Sequence, residues 1–234
     1  MRMATPRMAR LGALAGTVTL TALVAGLLSP AGADDTIKLP LKLPRAAFAG
    51  TPKELPEGIT DVEPVPTEAQ FKAALPQVPG SINQSALKKG VTASSKAYSQ
   101  SLDLVTDGQK EAYEDTSVEL KPKTQWVQID LGGEKKIYDV AVWHFHLEPV
   151  IFHDVIVQIS NDPTFASGVT TIFNNDKDNS SGLGAGSNRE YWETNLGKVM
   201  NARQTSGRYV RCYSRGSTYT DSLNRYTEVE VWSL

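Results

Sequence analysis

The chain has 234 residues, with 24 Lys+Arg against 26 Asp+Glu, a formal net charge of -2 and a pI near 6.0. This balance argues against a protein built around nucleic acid, because that class normally carries a net positive charge. Cys212 is the only cysteine, which excludes a disulfide scaffold, a zinc site of paired thiolates and a thioredoxin-like redox motif.

The N-terminus has the three parts of a secretory signal peptide. Arginines at positions 2, 7 and 10 precede an uncharged apolar run over residues 11–28, and Ala31-Gly32-Ala33 follows. We predict that residues 1–33 are cleaved off after Ala33, and the alternative is an uncleaved membrane anchor. Cleavage removes three arginines and no acid, which takes the net charge from -2 to -5. The mature protein is therefore expected to be secreted, periplasmic or at the cell surface, without insertion into the membrane.

Residues 34–83 contain eight of the 13 prolines of the chain. Each proline removes a backbone donor and fixes φ, so neither a long helix nor a central strand fits this segment. One short helix is predicted from Thr67 to Leu75, with Thr67 as its N-cap and Pro76 as its stop. The segment is either an extended linker or an arm that wraps the following domain. The apolar residues that favour the arm are Leu39, Leu41, Leu43 and Phe48.

From residue 84 onward, β-branched and aromatic runs recur with turn residues between them, which is typical of strands. The predicted strands are Val91–Ser94, Thr124–Leu131, Lys136–His146, Asp154–Ser160, Val169–Phe173, Arg189–Thr194, Arg208–Ser214 and Tyr226–Trp232. About eight strands predict an all-β jelly-roll sandwich or a small barrel. Val140–Trp143 is apolar on both faces, so it is expected in a central strand, and residues 174–188 are expected to form one long exposed loop.

The order of several segments resembles the discoidin family, also called the coagulation factor V/VIII type C domains. The strongest match is Gln125–Gly132, a tryptophan strand that ends in Asp-Leu-Gly. The other matches, in the same order, are Leu87–Ser95, Thr106–Gly108, Ile137–Val142, Val155–Asp162, Arg208–Arg211 and Glu228–Trp232. The resemblance implies a galactose-binding-like jelly-roll β-sandwich over residues 84–234, and a non-enzymatic role in binding glycans, cell-surface components or phospholipids. The two cysteines common in animal members are missing, so the chain is more similar to the bacterial carbohydrate-binding modules.

The resemblance also implies a structural calcium site. In carbohydrate-binding relatives a loop carboxylate, backbone carbonyls and a glutamate of the last strand enclose one Ca²⁺, and Asp107 and Glu228 stand at the matching positions. The usual threonine five residues after the aspartate is replaced by Ala112, and Thr116 is the nearest hydroxyl. The alternative is that Asp107 only forms an Asx-turn before Gly108.

The three histidines of the chain, His144, His146 and His153, lie within ten residues of one another. His144 and His146 are two apart on a predicted strand, so both are expected on the same face. Three imidazoles so placed would suit a transition metal or the hydroxyls of a sugar, and we favour the sugar. The alternative is that one or two are half-buried strand residues bonded to the backbone.

Two further loops carry residues that suit a polar ligand. Arg189 and Trp192 offer a guanidinium and a stacking face, and Tyr219 and Arg225 form a similar set before the last strand. We predict all four as ligand-binding residues. The alternative for each is structural pairing, particularly for Arg225 with an acidic neighbour.

The sequence contains no nucleophile-elbow, zincin or P-loop motif, and Cys212 in mid-strand is expected to be a small core residue. The favoured hypothesis is an exported, non-enzymatic module that binds a carbohydrate or cell-surface glycan through loops at one end of the sandwich. One alternative is a scaffold that docks envelope or extracellular proteins through its Pro-rich arm. A more distant alternative is a metal-dependent hydrolase that uses the three histidines.

Overall fold

The structure is a computed structural model of the chain, and it describes residues 1, 35–48, 50, 52–219 and 221–234. Apart from Met1, the predicted signal peptide lies outside the described residues. None of the described helices has the length and apolar character needed to cross a membrane.

Ten strands and two short helices are described. They are β1 (Thr36–Lys38), α1 (Glu68–Ala74), β2 (Gln77–Pro79), β3 (Asn83–Gln84), β4 (Val91–Ala93), a 3-10 helix (Leu102–Thr106), β5 (Val118–Leu120), β6 (Gln125–His144), β7 (Ile156–Ser160), β8 (Thr170–Asn174), β9 (Lys198–Ser214) and β10 (Asn224–Ser233). The prediction of an all-β fold is confirmed.

The larger sheet has the strand order β3-β10-β6-β9-β7-β8, with β4 beside β6 and β5 beside β10. The first part of β6 pairs with β4 and with the end of β9, whereas residues 137–144 pair with β10 and, through residues 137–142, with the first half of β9. The register shifts between Asp130 and Lys135, where both long strands turn the corner from one layer to the other. The two layers of this antiparallel sandwich enclose one hydrophobic core.

The last six residues of β6, Asp139–His144, are buried on both faces of the strand, which explains the apolar run Val140–Trp143. Val140 and Val142 belong to the core of the sandwich, whereas Ala141 and Trp143 belong to a second apolar cluster on the other face. Alternate residues of a strand point to opposite faces, so a strand covered on both sides needs apolar residues at every position. The prediction of a central strand at Val140–Trp143 is confirmed.

The outer face of β6 is covered by the Pro-rich segment, which we call the arm (described residues 35–48, 50 and 52–83). The second cluster, here the arm cluster, has as its buried members Leu39, Leu41, Leu75, Val78, Ile82, Ala141, Trp143 and Trp232. Leu43 packs against it, Phe48 is half-buried, and β1 pairs with β2 so that the arm closes on itself. Gly197 (φ +64°) lies so close to Trp143 that an added Cβ would stand 2.5 Å from the indole.

The short helix predicted between Thr67 and Pro76 is confirmed as α1. The Thr67 hydroxyl accepts from the Gln70 backbone N–H, and the Gln70 side chain accepts from the Thr67 N–H, which is a complete capping box. Pro76 ends the helix because it cannot continue the backbone hydrogen bonding.

Four of the predicted strands are corrected. The predicted strands Thr124–Leu131 and Lys136–His146 form one strand, β6, because pairing with β9 continues around the corner. Strand β9 begins at Lys198 instead of Arg208, since its polar first half pairs with β6 without being covered on both sides. Arg189–Thr194 is not a strand, and within it only Glu190 forms a bridge, to Val62 of the arm.

Candidate functional site

A polar cleft of about 390 Å³ lies where β7 begins and where β8 and β9 end. Residues 57–61 of the arm form one wall, and loops of the sandwich form the other. The side chains with hydrogen-bonding capacity that matter most are His153, Asp154, Asn175, Lys177, Asp178 and Arg215. The cleft therefore presents hydrogen-bond donors and acceptors side by side, and its volume is large enough for a small ligand.

His153 and Arg215 are held in the cleft by backbone pairing between two loops. The Arg215 N–H donates to the His153 carbonyl at 2.8 Å, and the His153 N–H donates to the Gly216 carbonyl at 3.0 Å. The His153 side chain is 34% exposed, and its Nδ1 lies 3.4 Å from Glu190 Oε1. Of the three histidines predicted as ligand contacts, His153 is the one that the structure places at an accessible polar surface.

Asp61 fastens the arm to the sandwich at the edge of the cleft. Its carboxylate accepts from Lys177 Nζ and from Arg189 Nε, both at 2.6 Å, and these two bonds lower the pKa of Asp61. Arg189 also donates to the Val62 carbonyl. Arg189, predicted to contact ligand, thus lies next to the cleft with its guanidinium engaged by the arm.

Carboxylates are concentrated on the opposite wall. Oxygens of Asp154, Asp176 and Asp178 lie within 4.8 Å of one another. Asp176 is fully buried and accepts from the backbone N–H groups of Ser180 and Ser181. Burial raises the pKa of Asp154, and the neighbouring carboxylates of Asp176 and Asp178 add to this rise. Negative charge therefore accumulates on this wall without full compensation.

The buried amide of Asn175 lines the same wall. Its Oδ1 accepts from the Val155 N–H at 2.6 Å, which fixes the orientation of the amide. The residue is 4% exposed, and its Nδ2 has no hydrogen-bond partner within the described ranges. The prediction that residues 174–188 form a wholly exposed loop is wrong at Asn175 and Asp176, because their side chains are turned inward by these bonds.

His144 and His146 are inside the protein. Both are 0% exposed; His144 Nδ1 lies 2.7 Å from Glu193 Oε1, and His146 Nδ1 lies 2.9 Å from the His144 carbonyl. Burial lowers the pKa of His146. The prediction that these two imidazoles contact a surface sugar is wrong, because β6 is covered on both faces at its end. Among the described residues, the three imidazoles do not gather into a metal-ligating group.

The remaining predicted contacts have structural partners. Trp192 is buried in a small cluster with Ile59 and Ile151. Arg225 is buried and donates to Glu119 and Asp221, while Tyr219 packs over the Arg225 guanidinium at 5.0 Å. For Arg225 the structure therefore shows the alternative given above, pairing with acidic neighbours, instead of a ligand contact.

Asp107 and Glu228 come together at the other candidate site. Glu228 is completely buried; its Oε2 accepts from the Gly108 N–H at 3.2 Å, and its Oε1 has no partner in the described part of the chain. Burial raises the pKa of Glu228 to about 9, and the carboxylates of Glu230 and Asp107 add to the rise. An unpartnered, buried carboxylate oxygen beside a second carboxylate fits a cation with oxygen ligands.

Thr116, which was predicted as the third calcium ligand, forms hydrogen bonds within its own turn. The Thr116 hydroxyl accepts from the Tyr113 N–H at 3.0 Å and donates to the Glu111 carbonyl at 2.8 Å. Asp107 Oδ1 accepts from the Gln109 N–H at 2.7 Å, which is the Asx-turn weighed as the alternative. The turn leaves the other carboxylate oxygen of Asp107 for a ligand, so the two interpretations are compatible.

No protein-family model and no curated protein matches the chain. Among solved structures the chain is similar to the CBM32 of AlyQ in complex with 4,5-unsaturated mannuronic acid, with 20% identity over 61% of this chain and 92% of that chain and a TM-score of 0.45. It is also similar to chitosan-binding module 1 of a chitosanase/glucanase from Paenibacillus sp. IK-5 (20% identity, 64% and 98% covered, TM-score 0.42). A third is a Clostridium perfringens CBM32 in complex with GlcNAc-α-1,4-galactose (12% identity, 67% and 97% covered, TM-score 0.48). At these TM-scores, the ligand of this chain has to be argued from its own residues.

Proposed function

We propose that the protein is a non-enzymatic module that binds a carbohydrate in the cleft between the arm and the loops of the sandwich. The observation that carries the proposal is the lining itself. His153, Lys177 and Arg215 supply donors, and Asp154 and Asp178 supply acceptors. Sugar hydroxyls both donate and accept hydrogen bonds, so a site for them needs both kinds of group.

The cleft is also built to keep its shape. The His153–Arg215 backbone pairing holds one side, and the Asp61 ion pairs with Lys177 and Arg189 hold the arm against the other. A site whose polar groups are already oriented loses less conformational entropy when its ligand binds. This favours a ligand site over a set of solvated surface charges.

The proposal predicts that two single substitutions weaken glycan binding. His153→Ala and Arg215→Ala each remove a donor from the cleft, and a lost hydrogen bond to a sugar hydroxyl costs about 1–3 kcal/mol, or about 5- to 150-fold in affinity. Isothermal titration calorimetry against a glycan panel measures the change. Arg203→Ala, at an exposed arginine in β9, is the control and is expected to leave affinity unchanged. Unchanged affinity in both cleft variants would contradict the proposal.

The scaffold alternative has less support. Leu39 and Leu41, two of the apolar residues of the arm, are buried in the arm cluster against Trp143 of the same chain and so are not exposed to a partner. Export stays a prediction, supported by the sequence of residues 1–33.

We also propose a structural Ca²⁺ held by Asp107 and Glu228, with backbone carbonyls and water completing the oxygen ligands. The unpartnered Glu228 Oε1 supports it. Since an ion that binds only the folded state stabilises it, a Ca²⁺ concentration about 100-fold above Kd is expected to add about 2.7 kcal/mol to the free energy of unfolding.

Thermal unfolding with Ca²⁺ and with chelator tests the calcium site. We expect the Tm of the wild-type protein to rise with Ca²⁺ and that of Asp107→Ala not to rise. Asp115→Ala, at an exposed loop aspartate, should respond as the wild type does. Identical melting of the wild-type protein with Ca²⁺ and with chelator would exclude the site.

A further inference from the structure

The arm has few backbone ties to the sandwich. Its strands β1 and β2 pair with each other in a separate two-stranded sheet. Among the described residues 35–82, two backbone hydrogen bonds join the arm to the sandwich, and both lie at one bridge. The Glu63 N–H donates to the Glu190 carbonyl at 2.8 Å, and the Glu190 N–H donates to the Asp61 carbonyl at 3.2 Å. The arm can therefore leave the sandwich without breaking a strand of the larger sheet.

A buried carboxyl lies beneath the arm. Asp139 of β6 lines a pocket of about 370 Å³ between residues 63–66 of the arm, α1 and the outer face of the sandwich. It is on the same side of the strand as Ala141 and Trp143, which the arm covers. The residue is buried, and its Oδ1 has no partner within the described residues. Burial raises the pKa of Asp139 to about 6, and no hydrogen bond or charge of the described chain opposes this rise.

The ionisable side chains on this side of the sheet are engaged with other groups. Glu63 of the arm is bonded to Lys198 of β9, and Glu230 of β10 is in an ion pair of its own. Lys38 of β1 donates to backbone carbonyls at the end of α1, and α1 itself contributes only apolar side chains to the pocket. The Tyr191 phenol stays neutral because burial raises its pKa. The buried carboxyl therefore has no counter-ion while the arm is docked, and it gains water when the arm leaves.

We infer that the arm is a pH-dependent strap: ionisation of Asp139 favours release of the arm from β6, and release opens the cleft of which residues 57–61 form one wall. A buried charge without a partner is costly, whereas water solvates the same charge once the arm has left. Below about pH 3 the carboxyl is protonated in both arrangements and has no effect on docking. Between about pH 4 and pH 6 docking weakens as the pH rises, by up to about 100-fold in the docking equilibrium.

Amide hydrogen exchange, followed by NMR from pH 4 to pH 8, tests the inference, because the N–H groups of Glu63 and Glu190 exchange only when the bridge opens. In the wild-type protein these two amides are expected to be less protected than the amides of β7, a strand that is paired on both sides. After correction for the intrinsic exchange rate, their protection should fall by up to about 100-fold between pH 4 and pH 7.

Asp139→Asn is expected to abolish this fall, since its amide carries no charge at any pH. Asp115→Asn, at an exposed carboxyl, is the matched control and should keep the fall. Both variants retain His153, which lies beside Glu190, so titration of that imidazole cannot account for a difference between them. The ion pairs of Asp61 lower its pKa and strengthen docking as the pH rises, but this contribution is complete above about pH 4.

Two results would overturn the inference. If the amides of Glu63 and Glu190 are protected as strongly as those of β7 at every pH, the arm separates only when the whole domain unfolds. If the wild-type protein and Asp139→Asn show the same pH profile at these two amides, the buried carboxyl does not control the opening. The measurement uses no carbohydrate, so either result would leave the proposed function standing.

Discussion

Replacing Leu39 by alanine is expected to lower the free energy of unfolding by about 2–5 kcal/mol, the range for a large-to-small substitution in a packed core. Leu39 is 2% exposed and lies in the arm cluster with Trp143 and Trp232, far along the chain from either. Removal of its side chain leaves a cavity between the arm and the outer face of β6. Urea unfolding followed by tryptophan fluorescence measures the loss, since both indoles lie in that cluster.

Ile37→Ala is the matched control. Ile37 is two residues away in β1 and is 39% exposed, so its truncation is expected to change the free energy of unfolding by less than about 1 kcal/mol. Equal effects of the two substitutions would show that the arm is not docked on β6, and the wall that residues 57–61 give to the cleft would be lost with it.

The second large expected effect is a pH-dependent loss of stability caused by the buried carboxyl of Asp139. This residue of β6 points to the same side as Ala141 and Trp143; it is 2% exposed, and its Oδ1 has no partner among the residues described. Burial raises its pKa from 3.8 to about 6. Lys198, which shares the space under the arm, is already bonded to Glu63.

The direction in which stability changes with pH follows from the raised pKa of Asp139. Below about pH 3 both the folded and the unfolded protein hold the proton, and this group subtracts nothing from stability. Between about pH 4 and pH 6 the unfolded protein releases the proton first, so stability falls as the pH rises, by up to about 3 kcal/mol above pH 6. Asp139→Asn is expected to match the wild type near pH 4 and to be about 2–3 kcal/mol more stable at pH 8.

Urea unfolding of both proteins across pH 4–8 checks this expectation. Asp115→Asn, which changes an exposed carboxyl, should track the wild type at every pH. A difference between Asp139→Asn and the wild type that stays constant over the whole range would contradict the assignment of the shift to Asp139.

The parts of the fold that depend on neighbouring residues were predictable from the sequence. The capping box of Thr67 and Gln70 and the stop at Pro76 define α1 within ten residues, and the alternation of β-branched residues locates β4, β7, β8 and β10. The corner in β6 and β9 was not predictable, because it depends on pairing between segments about 70 residues apart.

The residues of the candidate sites divide in the same way, into those that local sequence could indicate and those that depend on contacts between distant parts of the chain. His153 was proposed from its spacing to the other histidines, and Asp107 and Glu228 were proposed from the family resemblance. The burial of His144 and His146, in contrast, depends on the core that closes around the end of β6. The contribution of Asp61 to the cleft joins residues 116 positions apart, and no local pattern reports such a contact. The one sequence feature that could have indicated the buried side chain of Asn175 is the run of Asn and Asp directly after a strand. The polarity of that run suggested a solvated loop instead.

The most direct test of the proposal is to map the bound carbohydrate by the amide chemical shifts of the protein. During titration with the oligosaccharide of the panel that binds most tightly, the cleft proposal predicts the largest shift changes at His153, Asn175, Ser180 and Arg215, with Tyr98 and Tyr113 unchanged as exposed aromatics outside the cleft. Changes centred on those tyrosines, or no changes with any oligosaccharide of the panel, would contradict carbohydrate binding in the cleft.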